Sequence, residues 1–387
     1  MVLVLCREIL GMKINVIGQR NILGFGTHYA GLCDQLNRFS FLATVAVEYD
    51  ITNPQSVENL VRNSAHNDIN IWFLGFMEPK AIKTKGRNVV WAIFENDKLT
   101  PVYMNWLNRA DLVWAPSAWA RNILLAHGLP ATKVTVVPEG VDAELYHPHC
   151  RPWNETKLPT KFRFLMLGKF EERKGYTQLL DAFVKAFGKN PKVELLIKGD
   201  YYIDPQRKGA MLLDFVKSYN APNIRLLTGV ASQEDLFVIY NMADAFVFPS
   251  RAEGWGLPLI EAMATGLPAI ATNYSGQTEF LSHLEGLFMP VRHNLVPVQD
   301  PEIHRFVMDH DGDWGRWAEA DVDDLADKMQ EMVKNYLQWR QNALKASTIL
   351  RSRFTWANAA HIALESLITS GMLPHVKFQT PPKISMK

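Results

Sequence analysis

The chain has 387 residues, 48% of them hydrophobic and 21% charged, with a formal net charge of +1. That is two domains' worth of an ordinary soluble composition, and the near-neutral balance removes any global electrostatic case for a nucleic-acid partner. The three cysteines, Cys6, Cys33 and Cys150, are scattered without a C-x-x-C pair, which argues against a disulfide framework or zinc site and for a reducing cytosol.

In chain order, residues 1–10 are apolar but interrupted by Arg7 and Glu8, too short to span a bilayer and without a signal-peptide cleavage pattern. Residues 13–18 read as a first strand, so Met12 makes a natural start and residues 1–11 an upstream extension. A glycine-containing loop over 21–27 and an amphipathic helix over 29–36 then open a βαβ unit. Apolar runs at 69–75, 88–94, 112–115 and 134–138 follow, separated by helical stretches such as 118–127. Strands alternating with helices predict a parallel sheet covered on both faces. Residues 146–159 are polar and carry three prolines, placing a linker at 151–160 between a first domain, 12–150, and a second, 161–353. The alternation resumes with strands at 162–168, 193–198, 224–227, 245–249 and 268–271, and helices at 176–187, 210–218, 234–242 and 257–265. Late helices are predicted at 323–335 and 339–351, and the tail from Pro374 should fray.

Chemistry concentrates between Phe248 and Pro268. A strand ends at Pro249, and Gly254 and Gly256 let backbone approach a ligand where a Cβ would interfere. Pro258 suits the first turn of a helix, whose amides are natural donors to phosphate or sugar oxygens. Glu253 precedes that helix and Glu261 lies on it, so the two carboxylates can accept hydroxyls from different parts of one ligand. Upstream, Lys169 and Lys174 flank a short loop after a strand, a pairing that suits the charge of a departing diphosphate.

The pattern E-x-G-x-G-x-P-x-x-E-A-M-A-x-G-x-P from Glu253 to Pro268 resembles the signature of retaining glycosyltransferases of family four, and the chain is similar to bacterial polysaccharide glycosyltransferases. The resemblance runs over about residues 12–365, tighter in the second half. It implies an α/β GT-B fold, two Rossmann-like domains facing across a cleft, 12–150 as the acceptor domain and 161–353 as the nucleotide-sugar donor domain, with residues 354–387, opened by Phe354-Thr355-Trp356, returning as a helix and tail onto the first domain. It also implies that Glu253 faces the transferred sugar, that Gly254, Trp255, Gly256 and Leu257 hold sugar and phosphates through backbone, and that Glu261 binds the ribose. Lys169 and Lys174 become diphosphate binders, although the family usually carries Arg where this chain has Lys169, and Lys cannot make the bidentate fork. Gly229 and Val230 face the base, or form a plain strand-to-helix turn. Gly24 and Gly26 face the donor phosphates, or form an ordinary βα turn. Phe94-Glu95-Asn96-Asp97-Lys98-Leu99 is similar to the F-E-x-D-x-L variant of polysaccharide enzymes. Glu95 there positions sugar or acceptor, or caps a helix.

Many relatives carry a histidine near Glu95; His28 is the nearest alternative and reads rather as a packed or surface residue. Gly140, in Val137-Pro138-Glu139-Gly140-Val141-Asp142, is expected to supply an unusual φ. Trp91, Trp106, Trp114 and Trp119 are core candidates that could also line a sugar groove. The acids at 309–313 and 321–324 read as solvated loop and helix cap rather than a metal site.

The expected activity is retaining transfer of a hexosyl group from a GDP- or UDP-sugar to a glycan or lipid-linked glycan, with no metal or cofactor. The expected location is cytoplasmic, with peripheral contact at the inner face of a membrane if the acceptor is lipid-linked. A GT-B phosphorylase, an epimerase and a catalytically silent nucleotide-sugar-binding subunit remain as alternatives.

Overall fold

The computed structural model describes residues 13–18, 24–39, 42–48, 65–66, 68–74, 85–148, 159–200, 205–229, 231–299 and 313–374. The extension at 1–11, most of the 151–160 linker, Val230 and the acids at 309–312 lie outside them. The chain divides into two compact units, Met1–Gly140 with Pro301–Trp314 and Arg353–Lys387, and Val141–Asp300 with Gly315–Ser352.

The first unit is built on β1 (Lys13–Gly18), β2 (Ala43–Glu48), β3 (Ile69–Leu74), β4 (Arg87–Ala92), β5 (Leu112–Ala115) and β6 (Val134–Val136), all parallel in the order β2-β1-β3-β4-β5-β6. Successive side chains of a strand point to opposite faces, so β4 sends Val89 and Trp91 into one core and Val90 and Ala92 into another. That is why these strands are near-continuous apolar runs. One face is covered by α1 (Gly24–Leu36), the other by α2 (Pro101–Arg109) and α3 (Ala118–Ala126). Thr100 and Ser117 begin α2 and α3 as N-caps, each side-chain oxygen accepting a backbone N–H at 3.1 Å.

The second unit repeats the scheme with β7 (Phe162–Lys169), β8 (Val193–Asp200), β9 (Ile224–Leu227), β10 (Ala245–Phe248), β11 (Ala269–Thr272) and β12 (Met289–Val291). They pair in parallel in the order β12-β11-β10-β7-β8-β9. In sequence terms this is the Rossmann arrangement, with its topological switch point between β7 and β10. Asp244 fixes that junction, its carboxylate accepting the Arg163 amide at 2.8 Å. The crossovers include α4 (Tyr176–Phe187), α5 (Pro205–Ser218), α6 (Gln233–Asn241) and α7 (Leu257–Ala264). The short helix α8 (Thr278–Leu281) precedes β12. After β12 an antiparallel pair, β13 (His293–Pro297) and β14 (Arg316–Ala320), leads into α9 (Val322–Lys334) and α10 (Tyr336–Arg353).

The last helix, α11 (Trp356–Thr369), belongs to the first unit, as expected for a returning C-terminal helix. Ala360, Ala363, Leu364 and Leu367 join the β1–β5 core, and Trp114 Nε1 donates to Ser366 Oγ at 2.8 Å. Among the described residues no helix is long and apolar enough to cross a membrane.

Two local expectations need correction. The first helix begins at Gly24, so the Gly24-Phe25-Gly26 segment is its first turn rather than a preceding loop. Gly140 does not adopt a positive φ. It is glycine because a Cβ there would sit 2.2 Å from the Trp356 amide nitrogen. Trp91, Trp106 and Trp114 are buried in the first unit's cores, as expected of core candidates.

Candidate functional site

The candidate site lies at the carboxyl ends of β7 and β10, the switch point where ligands bind in open α/β sheets. Beyond β7 the chain makes a single 3₁₀ turn, Glu172–Lys174, and then enters α4 through Gly175 at φ 70°. Only glycine fits: a Cβ at Gly175 would lie 2.3 Å from the Pro249 carbonyl oxygen. The Arg251 amide donates to the Arg173 carbonyl at 2.7 Å and the Arg173 guanidinium to the Ala252 carbonyl at 2.7 Å, sewing the two loops together.

This closeness brings Lys174 and Glu253 into contact, Nζ donating to Oε1 at 2.5 Å with both side chains buried. Arg173 stands 3.1 Å from Oε2, and Ser250 Oγ donates to Oε1 at 2.5 Å. Burial pushes the Glu253 carboxyl up, but Lys174 and Arg173 with these hydrogen bonds outweigh it and hold it at about 2. Burial, followed by the like charge of Arg173, lowers the Lys174 ammonium despite Glu253. Glu171 also pairs with Arg173, at 3.2 Å, and lies 3.9 Å from the half-exposed Lys169. Three cations against two carboxylates leave the cluster net positive, the balance an anionic ligand needs.

Glu253 is positioned from the far side by the loop after β11. Its amide donates to Ser275 Oγ at 2.7 Å, and its carbonyl accepts from the Gly276 amide at 2.9 Å. Ser275 sits at φ 63°, an unusual backbone for a non-glycine residue, and a Cβ on Gly276 would come within 1.9 Å of the Gly254 oxygen. Gly256, at φ 97°, then turns the chain into α7, with Pro258 in its first turn. In that first turn Pro258 carries no N–H and the Leu259 amide donates to the Gly256 carbonyl at 3.0 Å. Trp255 is buried edge-on against Phe280, ring centroids 5.3 Å apart, so its side chain packs the turn.

Glu261 lies inside α7 and accepts from the Tyr240 hydroxyl at 2.9 Å. Burial raises its carboxyl to about 8, against the Tyr240 hydrogen bond and aided by Asp142. Tyr146 packs on Tyr240 at 5.9 Å and donates to Gln233 at 2.7 Å. Gly229 is exposed at φ 100° beyond β9, its carbonyl accepting from the buried Lys198 at 2.8 Å.

The structure therefore assembles Lys174, Glu253 and the Gly254–Leu257 turn, with Lys169 at the edge and Glu261 one element further on. Arg173, Ser250, Ser275 and Tyr240 join them without having been marked as site residues. Gly24, Gly26 and Glu95 belong to the first unit, the glycines in the first turn of α1 and Glu95 beyond the end of β4. Burial and then the Glu95 charge raise the Tyr103 hydroxyl. His28 is packed between Phe73, Trp91 and Trp356, and burial lowers it well below its ordinary value, keeping it neutral. Asp321 caps α9, accepting the Asp324 amide at 3.0 Å.

Residues 152–296 match the family model for glycosyl transferases group 1, and residues 81–145 match that for glycosyltransferase family 4. Together the two matches support a glycosyltransferase of the family-four type. Among its relatives, the serotype-specific mannosyltransferase WbdA of Escherichia coli is 27% identical over 54% of this chain and 22% of that protein. Mannosylfructose-phosphate synthase of Agrobacterium fabrum is 27% identical over 68% of this chain and 54% of that one. The chain thus spans between about a fifth and about half of these curated relatives. Among solved structures, Anabaena HepE in complex with UDP and glucose superposes with a TM-score of 0.68 at 18% identity, covering 92% of this chain and 100% of that one. That likeness establishes the GT-B fold, with two Rossmann-like α/β domains.

Proposed function

We propose that this chain transfers a hexosyl group from a GDP- or UDP-sugar to a glycan or lipid-linked glycan acceptor, with retention of configuration and without a metal. The observation that carries the proposal is the buried Lys174–Glu253 pair with Arg173 at the switch point. Its excess positive charge suits a diphosphate, and Lys169 adds an adjustable cation at the rim. As the glycosidic bond breaks, negative charge grows on the departing diphosphate, and cations fixed in a poorly solvated site stabilise that charge more than they stabilise the ground state. When the diphosphate draws Lys174 and Arg173 towards itself, Glu253 gives up hydrogen bonds and can accept hydroxyls of the transferred sugar. Glu261, with Tyr240 beside it, supplies the polar partner for the ribose. With Glu253 assigned to the hydroxyls of the transferred sugar and Glu261 to the ribose, the proposal contains no glycosyl-enzyme intermediate. The UDP-bound HepE structure and the mannosyl- and glucosyl-transferring relatives support a nucleotide-sugar donor.

The test is turnover. UDP-glucose, UDP-N-acetylglucosamine and GDP-mannose are incubated with the protein and release of the nucleoside diphosphate is followed, with and without glycan acceptors and with and without chelator. One donor should be consumed, chelator should change nothing, and the product linkage read by NMR should keep the donor's anomeric configuration. An inverted linkage, or no donor consumed beyond the uncatalysed rate with any acceptor, contradicts the proposal.

A further inference from the structure

Lys198 is a buried cation that the donor chemistry above leaves unused. It stands near the carboxyl end of β8, paired with Leu167 of β7 on one side and Leu227 of β9 on the other, and is 1% exposed. Leu195 and Ile197 point into the core shared with α4, so the pleat sends Lys198 to the opposite face of the sheet. That face also carries Phe246, on which Tyr240, the partner of Glu261, packs with ring centroids 5.8 Å apart. The neighbours of Lys198 on this face, Leu167 and Leu196, are buried leucines. Packing alone therefore asks for an apolar side chain, and an ammonium in its place costs desolvation. What the ammonium does is hold a peptide. Its Nζ donates to the Gly229 carbonyl at 2.8 Å. Gly229 is exposed at φ 100°, and a Cβ added to it would find no atom within 4 Å. The backbone beyond β9 is thus anchored on its inner side by a buried charge and open on its outer side.

The path of the donor leads to this backbone. Glu253 is tied to the loop after β11, and its cations stand at the ends of β7 and β10. A nucleotide-sugar with its sugar at Glu253 and its diphosphate at those cations runs its nucleoside away from β11, towards β8 and β9. The Glu261–Tyr240 pair lies on that route, because Tyr240 belongs to α6, the helix that follows β9. A flat base can approach Gly229 closely, since no side chain covers it. We propose that Lys198 is a positioning residue for the base of the donor nucleotide, an assignment that rests on the glycosyl-transfer function above. Lys198 does not touch the base. It holds the Gly229 peptide in one orientation, so that the backbone there meets the polar edge of the base with fixed hydrogen-bonding directions. Bases that differ in the order of donors and acceptors along that edge are told apart by hydrogen bonds left unmade, and only while the backbone is held still.

The test uses ligands that differ only in the base. UDP, GDP and ADP are titrated by calorimetry onto the full chain as wild type, Lys198→Met and Gly229→Ala. Methionine keeps the length and apolar packing of Lys198 while deleting its donor. The methyl of Gly229→Ala meets open space and disturbs only the backbone conformation, and its exposed position lets it carry the test if Lys198→Met folds poorly. In the wild type UDP or GDP should bind tightest, and its advantage over the other two should shrink about tenfold in each variant, the factor that one hydrogen bond carries. A general loosening of the fold would weaken all three nucleotides alike and leave that advantage intact. Such a parallel loss, unchanged affinities, or equal affinities in the wild type would overturn the role of Lys198 and leave the donor site standing. Binding of none of the three by the wild type would remove the donor site itself, and the base assignment with it.

Discussion

Glu253 and Glu261 lie on one turn-and-helix segment and titrate in opposite directions. Cations hold Glu253 at about 2, and burial raises Glu261 to about 8. For Glu253 the folded value is depressed, so its contribution to stability is present above its ordinary 4.5 and fades as pH falls towards about 2. For Glu261 the folded value is raised, so the advantage of the protonated acid is full below 4.5 and is lost as pH rises towards about 8. His28, held below its ordinary 6.5, gives the opposite slope in the lower part of that window, so the comparison is between proteins: denaturant midpoints should change more negatively with pH in the wild type than in Glu261→Gln, and parallel slopes would show that Glu261 is not protonated in the fold. Removing Lys174 leaves a buried carboxylate with Arg173 as its remaining cation. Lys174→Met should cost about 3 kcal/mol of stability, at the low end for breaking a buried pair. Glu253→Gln should cost less stability and lower kcat about 10²–10³-fold, the scale for removing one well-placed polar group from a charged transition state. A Glu253→Gln enzyme with unchanged kcat would take Glu253 out of the reaction.

Elements explain why these residues meet. The Gly175 turn carries Lys174 to Pro249, and two substitutions separate packing from backbone conformation. Gly175→Ala meets both a positive φ and the Pro249 oxygen at 2.3 Å, whereas Gly188→Ala meets a positive φ with its nearest atom at 3.9 Å. Gly188→Ala should cost about 1 kcal/mol and Gly175→Ala several-fold more, read from unfolding midpoints; equal costs would mean that the β10 contact does not constrain the loop. Elements bounded by strong local signals were legible in the sequence. Leu112–Ala115, Tyr176–Phe187 and Ile224–Leu227 coincide with their predicted limits, because turn or capping residues such as Ser117 and Gly175 stand beside them. Strand β2 was not read, because it is an edge strand in which Ala43, Val45 and Ala46 are exposed, leaving no buried run. The β13–β14 pair escaped for a related reason, since β13 is mostly exposed and its partner stands well apart from it in sequence. Gly24 and Gly26 disguised the start of α1, because glycine signals a loop more often than a first helical turn. At the site, Lys174 and Glu253 were legible as motif positions. Arg173, Ser250 and Ser275 were not, since nothing local distinguishes them until β7, β10 and β11 lie side by side.

At the scale of the whole molecule, the chain order matters at the end as much as at the start. The first unit's core is completed by α11, contributed by the last described segment. Leu364→Ala should therefore destabilise the first unit by about 2–5 kcal/mol, the usual cost of truncating a fully buried leucine, and limited proteolysis should then cut first within residues 13–140. Cuts confined to the second unit would contradict that assignment of α11. The central claim is a nucleotide-sugar donor site in the second unit, and the most direct measurement is the thermal midpoint with UDP, GDP, ADP and their sugars, without acceptor. A ligand at about a hundred times its dissociation constant adds roughly 2.7 kcal/mol, a readable shift. The account predicts a shift with one of the UDP or GDP families that is lost in Glu261→Ala and Lys174→Ala. No shift with any nucleotide, or a shift that survives both substitutions, would contradict it.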